Sequence, residues 1–442
     1  MKKCLILIFA LALLVFGSGT LDAATPQGHD QGQGAGTEFF RSREFHDKYR
    51  LTEVVVFSRH NIRAPLAAPG SFISKVTPYE WHDFGVKASE LTDKGGVLET
   101  INGQFFRRWL LSEGLFKENE EPSEGEIFVF ANSKQRTIAT ARYFLAGFMP
   151  TVTIPVNYGG KINDMNPVFS LTPGNDITDE QWRQIKAEYE AEYDAEGIRK
   201  ASQALQPGYD LLEKILKLKK SPAYKNGSFT GFDNHNSEII FPEGDEPRMT
   251  ASINDACSIA DALILQYYEE PDLNKVAFGR NLSREEWQSL SRIRETRDAI
   301  RFHSPFVQHY VSQRQRDLIA GNLLTPGRKF AFICGHDVNI FNILNSMRVK
   351  HYGIPDAIEV STPIGSKIVF EKWVDAEGNA FIGVNHIYQT VGQLRGNVLL
   401  DMKTTPGCIR LQFEGLEANE DGLYPLDILI RRLTEKAVPE SR

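Results

Sequence analysis

Two short segments of the chain hold side chains that could act on a bound anion. Residues 59–65, RHNIRAP, place a histidine between two arginines, and residues 335–337, GHD, place a second histidine beside an acid. The guanidinium groups of Arg59 and Arg63 can hold a phosphate or a carboxylate through paired hydrogen bonds. The histidine between them, His60, indicates chemistry on that anion as well as binding.

Each of these segments follows an apolar run that is typical of a buried strand. Residues 54–57 precede the first segment, and residues 329–334 lead into the second. A third run, Ile127–Phe130, leads into residues 131–137, ANSKQRT, which supply Arg136. Open α/β sheets bind ligands beyond the carboxyl ends of their strands, so we expect these segments to form one site.

The three segments supply three arginines, two histidines and one carboxylic acid, a set that suits phosphoryl transfer without a metal. The arginines would neutralise the equatorial oxygens, a neutral imidazole would attack phosphorus, and the acid would protonate the leaving alcohol. Structural interpretations are also open: Arg136 can be a surface residue, and Asp337 can be the N-cap of a helix over Val338–Leu344. The two interpretations of Asp337 are compatible, because a helix N-terminus also binds anions.

The RHNxRAP and GHD motifs resemble those of the histidine acid phosphatase family. Asn61 stands where the common form of the family has glycine, which is a mark of its glucose-1-phosphatase branch. The resemblance covers most of residues 50–430. Four further segments resemble bacterial periplasmic members of that branch: residues 91–99 (LTDKGGVLE), 131–141 (ANSKQRTIATA), 265–269 (LQYYE) and 362–370 (TPIGSKIVF).

The resemblance implies a role for each candidate side chain. His60 would be the nucleophile, and Asp337 would be the proton donor. Glu246 matches an acid that contacts the sugar side of the substrate in this branch, whereas by its own sequence it would be an ordinary loop acid. The residues implied to bind the transferring phosphate are Arg59, Arg63, Arg136 and His336.

The hydrophobic pattern predicts an α/β fold. Strand-like runs alternate with helical patterns, which indicates a doubly wound, largely parallel sheet flanked by helices. The resemblance implies that this fold is similar to that of phosphoglycerate mutase. The predicted strands are Glu53–Phe57, Ile127–Phe130, Lys329–Cys334 and Lys367–Trp373, and residues 373–388 predict a late hairpin around Glu377-Gly378-Asn379.

The middle of the chain is polar, helical and poor in strands. We therefore expect an α/β core domain from residues 39–156 and 327–442, with a smaller helical domain, residues 157–326, inserted into it. Ser283 and Glu286 have the spacing of a capping box at the start of one of its helices.

The first 24 residues predict a secretory signal peptide. Two lysines precede the apolar run Leu5–Phe16, and a cleavage site of small residues follows at Ala23 or Ala24. The run is shorter than the roughly 20 residues that a membrane anchor needs. Residues 25–38, rich in glycine and glutamine, predict a flexible lead. We expect a periplasmic or secreted protein with no membrane attachment after cleavage.

The composition is that of an ordinary soluble globular protein. The chain has 442 residues, 41% of them hydrophobic, and a net charge of −7, which argues against a nucleic-acid or anionic-membrane partner. Cys257, Cys334 and Cys408 remain after cleavage, and this odd number leaves at least one free thiol or an intermolecular bridge. No His/Cys cluster indicates a metal, and the expected partner is a small phosphomonoester, with no cofactor.

The resulting hypothesis is an exported acid phosphatase that acts on glucose 1-phosphate, phytate or both. A dedicated phytase is an alternative within the same class. A phosphomutase is a second enzymatic alternative, because that superfamily also uses phosphohistidine, but export and the GHD motif argue against it. A non-catalytic phosphosugar-binding protein is the alternative from another class, and it would need neither His60 nor Asp337.

Overall fold

The strands of the protein form one large mixed sheet and one short ribbon. The computed structural model describes residues 39–67, 70–174, 176–232, 237–242, 245–250 and 252–436, so the expected signal peptide (1–24) and lead (25–38) lie outside the described residues. The described strands are β1 (Tyr49–Arg59), β2 (Ile127–Ala131), β3 (Ile239–Ile240), β4 (Arg248–Met249), β5 (Phe330–Gly335), β6 (Lys367–Asp375), β7 (Ala380–Tyr388), β8 (Gly407–Arg410) and β9 (Tyr424–Pro425).

Helices cover both faces of the large sheet and make up most of the middle of the chain. The described helices are α1 (Arg43–Lys48), α2 (Phe72–Lys75), α3 (Asp93–Ser112), α4 (Gln135–Phe148), α5 (Asp179–Glu192), α6 (Ala195–Ala204), α7 (Gln206–Leu216), α8 (Pro222–Lys225), α9 (Ser252–Glu269), α10 (Arg284–Arg301), α11 (Pro305–Leu323), α12 (Asp337–Ser346), α13 (Val391–Gly396) and α14 (Leu426–Thr434).

The large sheet has the strand order β2-β5-β1-β6-β7-β8, with β9 paired to β7. The α/β fold with flanking helices is confirmed, as are the four predicted strands and the late hairpin, β6–β7. Parallel pairing is less extensive than the sequence pattern predicts: it joins β2, β5 and β1, and β6 to β9 add antiparallel pairs. The tight turn of the hairpin makes the β6–β7 pair antiparallel, since a connection this short can only join antiparallel strands.

Strand β1 lies between two helical layers, because successive side chains of a strand point to opposite faces. Val54 and Val56 belong to the core that includes side chains of α3 and α4. Val55 and Phe57 belong to the core that includes side chains of α11 and α12. Both faces of β1 are therefore buried, which explains its continuous apolar run.

Helices α3 and α4 pack at backbone-to-backbone distance. A Cβ atom added at Gly103 would collide with the carbonyl oxygen of Phe144, and one added at Gly147 would collide with that of Thr100. Glycine is needed at both positions for this close approach. The packing fixes α4 against the sheet and so fixes Arg136 in the first turn of α4.

The middle of the chain builds a core around α7, α9 and α10, with side chains such as Leu212, Leu263 and Leu290. The capping box of Ser283 and Glu286 is confirmed and begins α10 at Arg284. The division at residues 157 and 326 stays a prediction. Among the described residues, no helix is long and apolar enough to cross a membrane.

Candidate active site

The strand ends meet as the sequence predicts. Arg59 is the last residue of β1 and pairs in register with Gly335, the last residue of β5. His60 follows at once, and its backbone N–H donates to the carbonyl oxygen of Gly335 at 3.1 Å. The ring centroids of His60 and His336 lie 5.5 Å apart. Strand pairing thus brings two histidines that are far apart in the chain into one site.

The imidazole of His60 has a defined proton position. Its Nδ1 lies 2.8 Å from the backbone carbonyl oxygen of Asn61. A carbonyl oxygen only accepts hydrogen bonds, so Nδ1 donates and Nε2 keeps its lone pair. Burial, reinforced by Arg136 and His336, holds the pKa of His60 well below its ordinary value. The ring is therefore neutral, with an unprotonated nitrogen in the cleft that it lines.

Asn61 anchors the carbonyl that orients His60. Its backbone N–H donates to Thr140 Oγ1 at 3.2 Å, and its side-chain Nδ2 donates to Glu99 Oε2 at 2.9 Å. Glu99 in turn forms a fully buried ion pair with Lys367 at 2.9 Å. The identity of residue 61, which the sequence pattern singles out without a reason, has a physical role as the link to this network.

The proton position of His336 is defined by Asn132. The side-chain Oδ1 of Asn132 accepts from the backbone N–H groups of Ser133 and Asn166, so its amide nitrogen must face the other way. That nitrogen donates to Nε2 of His336 at 2.7 Å. This shorter contact fixes the tautomer, so the neutral ring carries its proton on Nδ1. The guanidinium nitrogen of Arg136, 3.4 Å from Nδ1, is then a neighbouring donor and not a hydrogen-bond partner. Burial and Arg136 hold the pKa of His336 well below its ordinary value.

Three arginines keep unused hydrogen-bond donors at the site. The buried Nε–H groups of Arg59, Arg63 and Arg136 find no partner within the described part of the chain. Arg63 contacts the carboxylate of Asp261 at 3.0 Å, whereas Arg136 forms no ion pair with any described carboxylate. Burial, together with Arg63, lowers the pKa of Arg136 to about 9. We call these three residues the phosphate cradle, because buried unpaired donors of one charge suit an anion.

Asp337 follows His336 directly in the chain and lines the same cleft. It is the first residue of α12, and the N-cap is His336, so the N-cap assignment of Asp337 is wrong by one residue. Its Oδ2 lies 3.3 Å from Arg59 and 3.0 Å from Arg294. Burial alone would raise the pKa of Asp337, but the two guanidinium groups outweigh burial and hold it well below its ordinary value.

Helix α10 supplies a second set of arginines that sequence reasoning missed. Arg294, Arg297 and Arg301 share one helix face and line the cleft. Arg297 contacts Asp298 at 2.8 Å, and Arg301 contacts Asp298 at 3.1 Å. We call these three arginines the α10 wall. Their spacing of three and four residues was the available signal, but alone it also fits a solvated helix face.

Glu246 lies at the edge of the same cleft. Its carboxylate contacts Arg301 of the α10 wall at 3.0 Å and is 40% exposed. The structure therefore brings six of the seven predicted site residues to the lining of one cleft. Arg59 lies behind the lining, where it contacts Asp337 at 3.3 Å. The cleft has a volume of about 270 Å³, and its apolar lining residues include Leu66, Met165, Leu171 and Val338.

One of the three cysteines, Cys257, lines the cleft. Cys257, Cys334 and Cys408 are all buried, and the thiols of Cys257 and Cys334 are free. Burial raises the pKa of Cys257 to about 11, so its thiol stays protonated and unreactive at neutral pH. Among the described residues, no group of three or more His, Cys, Asp or Glu side chains could hold a metal ion.

Fold and site together define the class of protein. The site combines a buried neutral imidazole with arginines that keep unused donors, and it lies at the carboxyl edge of an α/β sheet. This arrangement suits a phosphatase. The family model of the histidine phosphatase superfamily (branch 2) matches residues 50–227.

Curated relatives match nearly the whole chain. The chain is 30% identical over 433 residues to glucose-1-phosphatase of Salmonella typhimurium, which covers 97% of both chains. It is 31% identical over 380 residues to glucose-1-phosphatase of Providencia rettgeri, with 84% of this chain and 88% of the relative covered. A solved phytase from Citrobacter braakii superposes with a TM-score of 0.79 at 26% identity, covering 89% of this chain and 98% of that one.

The chain therefore belongs to the histidine phosphatase superfamily, branch 2, and it is a phosphomonoester hydrolase.

Proposed function

We propose that this protein is an exported, metal-independent acid phosphatase that hydrolyses sugar phosphates through a phosphohistidine intermediate on His60. The observation that carries the proposal is the combination of an oriented imidazole and unused donors. Nδ1 of His60 is engaged by the Asn61 carbonyl, so Nε2 is the nucleophilic atom. The free Nε–H groups of the phosphate cradle supply donors for the phosphoryl oxygens, where a metal ion would otherwise neutralise charge.

The reaction has two balanced steps. In the first, the Nε2 lone pair of His60 attacks phosphorus, the ester P–O bond breaks, and the leaving oxygen takes a proton from Asp337. In the second, water attacks phosphorus, gives its proton to the Asp337 carboxylate, and the P–N bond breaks. Inorganic phosphate leaves, and both residues return to their starting states. Arg59, Arg63, Arg136 and the Nδ1–H of His336 hold the phosphoryl oxygens throughout.

The protonation states of Asp337 and His60 favour catalysis at acidic pH. In the free protein Arg59 and Arg294 keep the pKa of Asp337 low, so this group is ionised over most of the pH range. A bound phosphate adds negative charge beside Arg59, which raises the pKa of Asp337 and draws a proton to it. His60 remains neutral at acidic pH, since burial depresses its pKa. Activity should therefore rise as pH falls through the pKa of Asp337 in the complex.

The α10 wall favours a substrate with one phosphate and a neutral polyol. Arg297 and Arg301 are already compensated by Asp298, and Arg301 also by Glu246. A second phosphate would meet the carboxylates of Glu246 and Asp261, which line the cleft. Sugar hydroxyls both donate and accept, so they match paired guanidinium and carboxylate groups. We therefore place glucose 1-phosphate ahead of phytate, in keeping with the glucose-1-phosphatase relatives.

A dedicated phytase is the second candidate, and the likeness to phytases supports it. The chain is 26% identical over 413 residues to phytase AppA of Escherichia coli. A panel of glucose 1-phosphate, phytate and an aryl phosphate separates the two candidates. A higher kcat/KM for phytate than for glucose 1-phosphate would reject the order proposed here.

The nucleophile is tested by trapping the intermediate. The wild-type protein, quenched in alkali during turnover, should carry one phosphate on His60, and His60→Ala should carry none and release no phosphate. His351→Ala, at an exposed histidine, is the matched control and should behave as wild type. Phosphohistidine in the His60→Ala protein would reject the assignment.

Activity that falls in excess chelator would reject the metal-independent mechanism.

A further inference from the structure

A buried carboxylate contacts both of the arginines that contact Asp337. Glu359 lies in the segment between α12 and β6, and its side chain is 2% exposed. Its Oε1 accepts from Arg59 at 2.7 Å and from Arg294 at 2.8 Å. Neither the motifs of the chain nor its hydrophobic pattern gives this residue a role.

The four groups form a closed ring of alternating charge. Arg59 and Arg294 each use one terminal nitrogen on Glu359 and another terminal nitrogen on Asp337. The ring is anchored to the backbone, because the second oxygen of Glu359 accepts from the N–H of Ile364 at 3.1 Å. Asp337 is the most exposed of the four members, with 20% of its side chain accessible in the cleft.

We propose that Glu359 and Arg294 are positioning residues that fix the carboxyl group of Asp337 and set the pH at which it carries a proton. The inference rests on the proposed role of Asp337 as the proton donor. Glu359 takes up part of the positive charge of the two arginines, and the remainder acts on Asp337. Buried charges are tolerated only when paired in this way, and they interact strongly because little water screens them.

Other charged or titratable groups near Asp337 are accounted for. His60, which follows β1, and His336, the cap of its own helix, are both neutral. Arg136 on α4 attracts the carboxylate, and Asp261 on α9, the partner of Arg63, attracts both Arg136 and Arg294. Tyr268 on α9 contacts Glu359 and stays protonated, since burial raises its pKa well above the ordinary value. Arg294 lies nearer to Asp337 Oδ2 than Arg59 does, at 3.0 Å against 3.3 Å, and it can be substituted without dismantling the cradle.

The ring predicts opposite effects for its two positioning members. Glu359→Gln removes a negative charge, so the arginines act more strongly on Asp337 and lower its pKa. Arg294→Gln removes a positive charge and raises that pKa. A neighbouring opposite charge shifts a carboxyl pKa by roughly 1–3 units, so each shift should exceed about half a pH unit.

The test measures the pH dependence of alcohol release from an alkyl phosphate in a single turnover. The basic limb should move to lower pH in Glu359→Gln and to higher pH in Arg294→Gln. The conservative variants Glu359→Asp and Arg294→Lys keep the charges, and their limbs should lie nearer that of wild type. If Glu359→Gln does not fold, the Arg294→Gln and Glu359→Asp profiles decide the question alone. Limbs that stay in place, or that move in the same direction, would overturn the proposal.

Two controls separate this inference from a general structural effect. Glu53→Gln replaces a different buried glutamate, which lies on β1 and is paired with Lys372 away from the cleft. The basic limb of this variant should not move. In an Asp337→Asn background, Glu359→Gln should have no further effect on the limb. If Asp337→Asn lowers the activity on alkyl and aryl esters equally, Asp337 is not the proton donor and the proposed function fails at this residue. If that role holds and the Glu359→Gln limb does not move, only the present inference fails.

Discussion

The phosphate cradle and the α10 wall each place three arginines in or directly behind one cleft, but the donors of the two sets are engaged differently. The cradle residues keep buried Nε–H donors without a partner in the described part of the chain. In the wall, Arg297 donates its Nε–H to Asp298, and Arg301 donates its own to the carbonyl oxygen of Pro247. An arginine with an unused Nε–H can receive an anion even where its terminal nitrogens are paired, whereas one whose Nε–H is also engaged is held as a scaffold for neighbouring groups.

Asp337 contacts Arg59 of the cradle and Arg294 of the wall. Its replacement gives the largest expected effect among these predictions. Asp337→Asn removes the proton for the leaving alcohol and should lower kcat for alkyl phosphates by about 10²–10⁴-fold. An aryl phosphate, whose leaving group needs no proton, should lose far less. The kcat values of both ester types check this, and equal losses would mean that Asp337 serves the wall as structure and not the reaction.

The cradle is tested next at Arg136, which has no described carboxylate partner. Arg136→Ala should lower kcat/KM by about 10²–10³-fold for every phosphomonoester, because one donor to the phosphoryl group is lost. Arg136→Lys keeps the charge but lacks the planar fork, so it should recover only part of the activity. If Arg136→Ala affects sugar esters and spares aryl phosphates, the residue belongs functionally with the wall.

The wall is tested at its outer edge, where the smallest effect is expected. Arg301→Gln frees Glu246 from its partner and leaves Asp298 paired with Arg297 alone. It should raise KM for glucose 1-phosphate by a few-fold, or about 1 kcal/mol of binding. The kcat for an aryl phosphate, which carries no sugar, should not change. A large fall in kcat on both substrates would erase the distinction between cradle and wall.

The cradle, His60 and Asp337 could be predicted from the sequence because they lie at the ends of strands or just beyond them. His60, Arg136 and Asp337 each stand a few residues after an apolar run, and parallel pairing brings such positions together. The α/β class and the hairpin follow from the same local patterns. The one-residue error at the cap of α12 arose because a histidine, rather than the acid, occupies the cap position.

The wall and the charged ring could not be predicted in the same way. Arg294 lies 43 residues from Asp337 along the chain, and Glu359 lies 300 residues from Arg59. Their contacts depend on how α10 docks against the sheet, and no periodic pattern encodes that docking. A buried acid in an irregular segment, such as Glu359, looks like any loop acid until its partners are known.

The amide of Asn132 and the carbonyl of Asn61 make the two histidines alike in one further respect. Both imidazoles carry their single N–H hydrogen on Nδ1 and have an unprotonated Nε2. Nitrogen chemical shifts distinguish the two nitrogens of a neutral ring, so the assigned ¹⁵N signals of His60 and His336 in the resting protein should both show this tautomer. The loss of either signature would report a disassembled site before any substrate is added, and would give a spectroscopic reference for every variant.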